Sequence, residues 1–316
     1  MTPAHETEYG IAPGGLLLMP YGEDALVVTR AGRCAAVAAS ARAVVGEIGT
    51  AGLTLPQLAA TVADRASGRD AFIAGMESVR TLIEIDALLP TALVGSPGQQ
   101  LGAVVRAKPD DPSYGVPEVR VVELGLPWSV FAAAPATVAE LVSETLASPG
   151  RRLLEFGPGL STVAVGLAAD FADVEVEVVG IEQDTAWAES VVAALPASPH
   201  VTVSMVLAPL VPADADPAPF PLKRWYDRDA LGVVQGPFDV VLVDGPTAFR
   251  SEWQFDRWPA LDFVQPLLAG GATIVLDDAN REGEGAIGRD WLERLGEGWQ
   301  AAIVDRSLWL RHRDAG

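Results

Sequence analysis

The stretch that decides the fold reads Glu155-Phe156-Gly157-Pro158-Gly159-Leu160-Ser161-Thr162. Its first residue ends a predicted strand at residues 152–155, and it precedes residues 163–169, which have the composition of a helix. Glycines at such a junction allow a tight turn and let a ligand approach the backbone, while the helix amino terminus offers unpaired N–H groups. A dinucleotide fingerprint would need a third glycine near Thr162, and none is present.

Strand-like and helix-like segments alternate from residue 136 onward, which is typical of a parallel sheet covered by helices. The predicted strands are residues 152–155, 174–181, 201–206, 238–243 and 272–276. The last two are almost continuously apolar, as expected for strands that are buried on both faces. Residues 136–316 are therefore predicted to form an α/β domain.

Two acidic residues indicate what the glycine turn binds. Glu155 ends the first predicted strand, and Glu182 follows the second. A carboxylate at Glu182 could accept hydrogen bonds from both hydroxyls of a ribose, and one at Glu155 could face the ammonium group of an amino acid. Together they suggest a nucleoside that carries an amino acid.

This pattern resembles the first motif of class I S-adenosylmethionine-dependent methyltransferases, in which an acid, any residue and Gly-x-Gly precede an acid that closes the second strand. The resemblance covers residues 136–313, and residues 299–311 look like the closing antiparallel hairpin of that family. It implies a Rossmann-like, seven-stranded sheet with S-adenosylmethionine across the carboxyl ends of the first two strands. The cofactor-binding residues would be Glu155, Gly157, Gly159, Ser161 and Glu182. The alternative is a doubly wound domain whose turn binds a different nucleotide or nothing.

Three further carboxylates follow the fourth and fifth predicted strands, at Asp244, Asp277 and Asp278. Ligands of open α/β sheets lie outside the carboxyl ends of the strands, so these side chains belong to the ligand-binding edge. The arrangement is similar to metal-dependent O-methyltransferases, which implies that all three aspartates hold a divalent ion, with oxygen ligands suited to Mg²⁺.

The sequence departs from that metal-binding pattern in two places. Asp278 stands where the catechol-methylating enzymes have Asn, and Gly245-Pro246 follows the first acid. The alternative is that Asp277 and Asp278 cap the next segment and pair with Arg281 or Arg250 without a metal. Asp244 would then be the catalytic residue, as a general base or a substrate orienter.

Residues 1–95 have their own pattern, a small sheet followed by three helices, which predicts an α+β winged-helix domain. The predicted strands are residues 15–19, 25–29 and 34–37, and the predicted helices are residues 41–48, 56–63 and 71–83. The run 34–45 and the stretch 52–58 resemble PqqD-like peptide-recognition domains. The resemblance implies that the leader of a ribosomally synthesised precursor peptide adds as an edge strand beside the third strand and contacts the third helix. The expected peptide contacts are Ala36, Val37, Met76 and Val79.

Other roles for the N-terminal domain are a homodimer interface or a cover for the active site. Winged helices also bind DNA, but a formal net charge of −20 opposes contact with phosphate backbones, so no nucleic-acid partner is expected. Residues 96–135 are rich in proline and glycine and are predicted to be a linker, although residues 124–131 could instead pack over the cofactor or substrate. Residues 211–235, with Trp225 and Tyr226, form either a substrate wall or an insertion that packs on the domain.

The remaining composition limits the chemistry. Cys34 is the only cysteine and the chain has three histidines, so a thiolate metal cluster or a histidine-rich zinc site is not expected. No signal peptide and no membrane-spanning run is recognisable, and we expect a cytoplasmic protein.

The predicted function is methyl transfer from S-adenosylmethionine to an oxygen of a peptide held by the N-terminal domain. One alternative is a small-molecule O-methyltransferase of secondary metabolism. Another is a peptide-binding scaffold that has lost its activity.

Overall fold

The computed structural model describes residues 8–12, 15–48, 53–85, 87–90, 119–127, 129, 131–213 and 219–312. The chain divides into two compact units, residues 1–124 and residues 125–316. The predicted linker falls partly in each unit, and its residues 96–118 lie outside the described ranges.

The described part of the first unit contains two small sheets and three helices. Its strands are β1 (Glu8–Ile11), β2 (Leu16–Tyr21), β3 (Asp24–Thr29), β4 (Cys34–Val37), β5 (Leu53–Thr54), β6 (Leu88–Pro90) and β7 (Val119–Val121). Its helices are α1 (Ala39–Ile48), α2 (Leu55–Arg65) and α3 (Arg69–Glu84). One sheet has the order β4-β3-β2-β7 and the other the order β5-β1-β6.

The three predicted strands and three predicted helices of this unit are present, as β2 to β4 and α1 to α3. The first sheet is larger than predicted because β7, from the predicted linker, pairs in parallel with β2. A strand of three residues has no periodicity to detect, and its partner lies about a hundred positions earlier in the chain. The PqqD-like winged-helix interpretation is not confirmed.

The second unit is built on one sheet of seven strands. They are β8 (Arg152–Phe156), β9 (Val176–Glu182), β10 (Val201–Leu207), β13 (Phe238–Val243), β14 (Leu268–Leu276), β15 (Trp299–Val304) and β16 (Ser307–His312). Before β13, the short strands β11 (Leu210–Pro212) and β12 (Arg224–Tyr226) form a separate hairpin. The helices are α4 (Pro135–Ala147), α5 (Leu160–Ala172), α6 (Thr185–Ala194), α7 (Arg228–Leu231), α8 (Ala260–Val264) and α9 (Glu282–Leu295).

The strand order of the large sheet places the functional site. The order is β10-β9-β8-β13-β14-β16-β15, with the first five strands parallel and β16 antiparallel to β14. The seven-stranded, mostly parallel sheet and its closing antiparallel hairpin are as predicted. From β8 the chain adds β9 and β10 on one side of the sheet, and then returns to add β13 and β14 on the other side. The direction in which strands are added therefore reverses between β8 and β13. The crevice at such a switch point is where open α/β sheets bind ligands.

The insertion between β10 and β13 packs on the domain. Trp225 and Tyr226 are 4% and 1% exposed, and both rings contact Phe156 at centroid distances of 5.5 and 5.7 Å. This is one of the two outcomes left open for the aromatic pair. Residues 214–218 of the insertion lie outside the described ranges.

Among the described residues, no helix is both long enough and apolar enough to cross a lipid bilayer.

Candidate functional site

A cavity of about 470 Å³ opens at the carboxyl ends of the parallel strands in the second unit. Its lining comes from the turns after β8, β9, β13 and β14 and from the segment before α4. Of the predicted site residues, those that line it are Gly157, Gly159, Ser161, Glu182, Asp244 and Asp278. Residues that sequence reasoning did not assign to the site also line it, among them Trp187, Phe249, Arg257 and Arg281. Phe131 and Tyr226, for which a place beside the ligand was left open, line it too.

The glycine turn needs its first glycine for two reasons. Gly157 has a φ angle of +80°, which residues other than glycine rarely adopt. A Cβ atom there would also lie 3.1 Å from the backbone nitrogen of Gly245, in the turn after β13. The two turns therefore approach each other closely at the base of the cavity.

Glu155 lies beneath the glycine turn and not in the cavity wall. It is fully buried, and its two carboxylate oxygens accept hydrogen bonds from the hydroxyls of Ser161 and Thr162. The Thr162 hydroxyl also accepts the N–H of Gly159 at 3.0 Å. Glu155 thus fastens the first turn of α5 to the end of β8. Its expected contact with the ammonium group of a ligand stays a prediction.

The burial of Glu155 predicts a pH dependence. Burial raises the pKa of this carboxyl from 4.5 to about 7, although the two hydroxyl donors act in the opposite direction. The folded state therefore holds the proton more tightly than the unfolded state. This contribution to stability is complete below pH 4.5 and is lost as the pH rises through about 7.

Glu155→Gln should remove that loss, because an amide does not titrate. The melting temperature of the variant relative to the wild type should therefore increase between about pH 4.5 and pH 8. Calorimetric scans across this range measure the difference, and the other carboxyl groups cancel between the two proteins. A difference that stays constant with pH would show that Glu155 is ionised throughout.

Glu182 is held in a fixed orientation at the end of β9. It is 3% exposed and lines the cavity. Its Oε1 accepts the backbone N–H groups of Gln183 and Asp184 at 2.7 and 2.8 Å. Within the described ranges no hydrogen bond is made to Oε2, so this oxygen is left to accept bonds from a ligand. The geometry fits the expected ribose acceptor.

Trp187, in the first turn of α6, supplies an aromatic wall next to the glycine turn. Its indole N–H donates to the carbonyl oxygen of Pro158 at 2.8 Å, and its ring lies 3.7 Å from the Cβ position of Gly159. A ring fixed in this way can pack against the base of a nucleoside. A single aromatic residue on an amphipathic helix has no distinguishing sequence signal.

The structure brings Asp244, Asp277 and Asp278 together, with carboxylate oxygens within 4.8 Å of one another. Only Asp244 and Asp278 line the cavity. Asp277 is fully buried and accepts the hydroxyl of Ser307 at 2.5 Å and a nitrogen of Arg306 at 3.2 Å. Asp278, at φ of +59°, lies 2.8 Å from Arg281.

Arg257 lies at the centre of this acid cluster and is only 3% exposed. Its Nη2 donates to the backbone oxygen of Asp244 and to the carboxylate of the same residue, the latter at 3.1 Å. Its Nη1 donates to the backbone oxygen of Asp277 at 3.1 Å and lies 3.5 Å from the Asp278 carboxylate. Its Nε donates to the backbone oxygen of Pro246 at 3.1 Å. Every nitrogen of the guanidinium group contacts an oxygen.

These contacts do not fit the expected magnesium site. A divalent ion among the three carboxylates would lie beside the buried positive charge of Arg257 and compete for the same oxygens. The alternative pairing of Asp278 with Arg281 is present, whereas Arg250 lies 3.9 Å from Glu252 instead. The oxygens of this cluster therefore bind the guanidinium group of Arg257, and the expected Mg²⁺ site is not supported.

Asp244 faces the cavity with an altered affinity for protons. Burial and the charge of Asp277 raise its pKa well above the ordinary value, and the charge of Arg257 acts against them. A carboxyl group with a raised pKa on a ligand cavity suits proton transfer.

Comparisons with known proteins give distant likenesses only. No protein-family model matches the chain, and no curated protein matches it. The solved O-methyltransferase TomG from Streptomyces achromogenes, involved in tomaymycin synthesis and in complex with SAM, is 18% identical, with 59% of this chain and 84% of that chain covered and a TM-score of 0.41. The SAH-bound methyltransferase PaMTH1 from Podospora anserina is 14% identical, with 72% and 89% covered and a TM-score of 0.40. Cofactor-bound Rv0187 from MTB is 20% identical, with 75% and 97% covered and a TM-score of 0.41.

Proposed function

We propose that the chain is an S-adenosylmethionine-dependent O-methyltransferase. The observation that carries the proposal is Glu182, whose carboxylate is oriented by two backbone N–H groups and faces the same cavity as the glycine turn. The Trp187 ring completes an apolar wall beside that turn. A ribose acceptor, a close-approach turn and an aromatic wall are the groups that a nucleoside needs.

The remaining cavity residues suit methyl transfer. The bound cofactor supplies an electrophilic methyl group, so the protein needs mainly to place the acceptor in line and to remove its proton. Asp244, on the cavity wall, takes the proton of an acceptor hydroxyl, and Arg257 holds the Asp244 carboxylate in position at 3.1 Å. An acceptor that is already a carboxylate needs no base.

We further propose that the acceptor belongs to a ribosomally synthesised peptide whose leader binds the first unit. Strand β4 is at the edge of its sheet, and its outer side pairs with no strand in the described part of the unit. An extended peptide can add to such an edge through main-chain hydrogen bonds. Ala36 on β4 and Met76 on α3 are both partly exposed and remain candidate contacts.

The side chains of the other two expected peptide contacts are buried. Val37 and Val79 are each 1% exposed, and both belong to the hydrophobic core of the unit. Val79 belongs to the apolar face of α3 that packs into this core. Val37 remains a candidate contact through its main-chain groups on β4.

The test first searches for a short peptide gene beside this one, and then compares its product with a version that lacks the leader, at concentrations well below saturation. Mass spectrometry measures methylation. Ala36→Asp should reduce turnover of the leader-bearing peptide by about tenfold or more, because the leader raises the effective concentration of the acceptor. Ala60→Asp, on the exposed side of α2, is the matched control and should have no effect. Equal turnover with and without the leader would contradict leader recognition.

One observation favours the alternative of a small-molecule O-methyltransferase. Phe131 and Phe249 line the cavity with 61% and 52% of their surface exposed, and their ring centroids are 5.8 Å apart. Exposed aromatic rings at the mouth of a cavity suit a small apolar acceptor. Methylation of such a compound by both the wild type and Ala36→Asp would favour this reading.

A further inference from the structure

Tyr226 carries a buried hydroxyl that has no partner. The residue is 1% exposed, and no group in the described ranges forms a hydrogen bond with its Oη. Its ring is fixed in the core by Phe156 and Trp225, at centroid distances of 5.7 and 5.1 Å. A phenylalanine would make the same ring contacts, so packing does not account for the oxygen. An unpaired buried hydroxyl is costly, which calls for another reason for its presence.

The Tyr226 hydroxyl lies where the turn after β8 meets the turn after β13. Tyr226 lines the cavity, and a Cβ atom on Gly245 would collide with its Oη. The same Cβ position is 2.9 Å from the backbone nitrogen of Gly157, so the oxygen is at the junction of the turns after β8 and β13. Glu182 and Asp244 line the same cavity as this junction.

The chemistry of the hydroxyl restricts its role. Burial raises the pKa of the Tyr226 phenol, and the nearby charge of Glu182 acts in the same direction. The phenol therefore remains protonated at neutral pH and cannot act as a base there. It can donate one hydrogen bond.

We propose that Tyr226 is a cofactor-binding residue, and that its hydroxyl donates a hydrogen bond to an acceptor atom of the nucleoside that bridges the turns after β8 and β13. This inference rests on the proposed function and adds to it a residue from the β11–β12 hairpin. The hairpin thereby has a role in binding as well as in packing.

The test measures the binding of S-adenosylhomocysteine by calorimetry and the melting temperature of the ligand-free protein, for the wild type and for Tyr226→Phe. The dissociation constant should rise about fivefold to thirtyfold, the loss expected for one hydrogen bond in a buried site. The ligand-free melting temperature should stay the same or rise by a few degrees, because the substitution removes an unpaired polar group. Tyr21→Phe, a buried tyrosine of the first unit, is the control and should leave the dissociation constant unchanged.

The outcomes separate this inference from the proposed function. Wild-type binding with an unchanged affinity in Tyr226→Phe would overturn the inference alone. A lower melting temperature of the ligand-free variant would also overturn it, because the hydroxyl would then serve the fold. No binding by the wild type would overturn both.

Discussion

Arg257→Ala should lower the free energy of unfolding by about 3 to 5 kcal/mol, the range for breaking a buried ion pair by removal of one partner. The side chain is 3% exposed and ties together the turns after β13 and β14. Its loss leaves the buried Asp244 carboxylate without its cation and three backbone oxygens without their donor. Denaturant unfolding monitored by tryptophan fluorescence measures the change.

Two other arginine variants serve as controls. Arg250→Ala removes an exposed guanidinium that lies 3.9 Å from Glu252, and it should cost only about 0 to 1 kcal/mol. Arg257→Lys keeps the charge but not the planar set of donors, and it should recover part of the lost stability. Equal stability of Arg257→Ala and Arg250→Ala would contradict the central role of Arg257.

The same variant tests the interpretation of the acid cluster. Without the guanidinium group, three carboxylates within 4.8 Å of one another are left less neutralised, and Arg257→Ala should bind Mn²⁺ more tightly than the wild type. Electron paramagnetic resonance of Mn²⁺ measures binding directly. Stoichiometric binding by the wild type that is lost in Asp278→Ala would restore the metal site expected from sequence.

Glu182→Ala should weaken the binding of S-adenosylhomocysteine by about tenfold to a hundredfold, equivalent to about 1.5 to 3 kcal/mol for hydrogen bonds to a charged group. The physical reason is the loss of a carboxylate that faces the cavity with one oxygen left to accept hydrogen bonds from a ligand. Glu189→Ala, on the exposed side of α6, changes the same charge outside the cavity and should have no effect. Similar affinities for the two variants would remove Glu182 from the binding site.

The large sheet was predictable because its strands carry strong local signals. The strand predicted at 238–243 matches β13 residue for residue, since six consecutive residues of that strand are buried. The grouping of acidic residues at one edge of the sheet was also predictable, because residues that end parallel strands lie on the same edge of the sheet. The meeting of Asp244 with Asp277 and Asp278 follows from topology alone.

The orientation of side chains at that edge was harder to predict. The position of Glu155 in the sequence is the same whether it faces a ligand or the first turn of α5. Its hydroxyl partners, Ser161 and Thr162, were the available signal. Arg257 and Tyr226 reach the site from segments without periodicity, through contacts that only the folded chain creates. For β7, the pairing with β2 depends equally on tertiary structure.

The central claim is that this cavity binds S-adenosylmethionine, and titration calorimetry of the wild-type chain with S-adenosylhomocysteine tests it most directly. The account predicts one site for each chain with a dissociation constant in the micromolar range. Binding should be unchanged in excess chelator, because the guanidinium group of Arg257 already neutralises the acid cluster. The absence of binding at millimolar ligand concentration, by a protein shown to be folded, would contradict it.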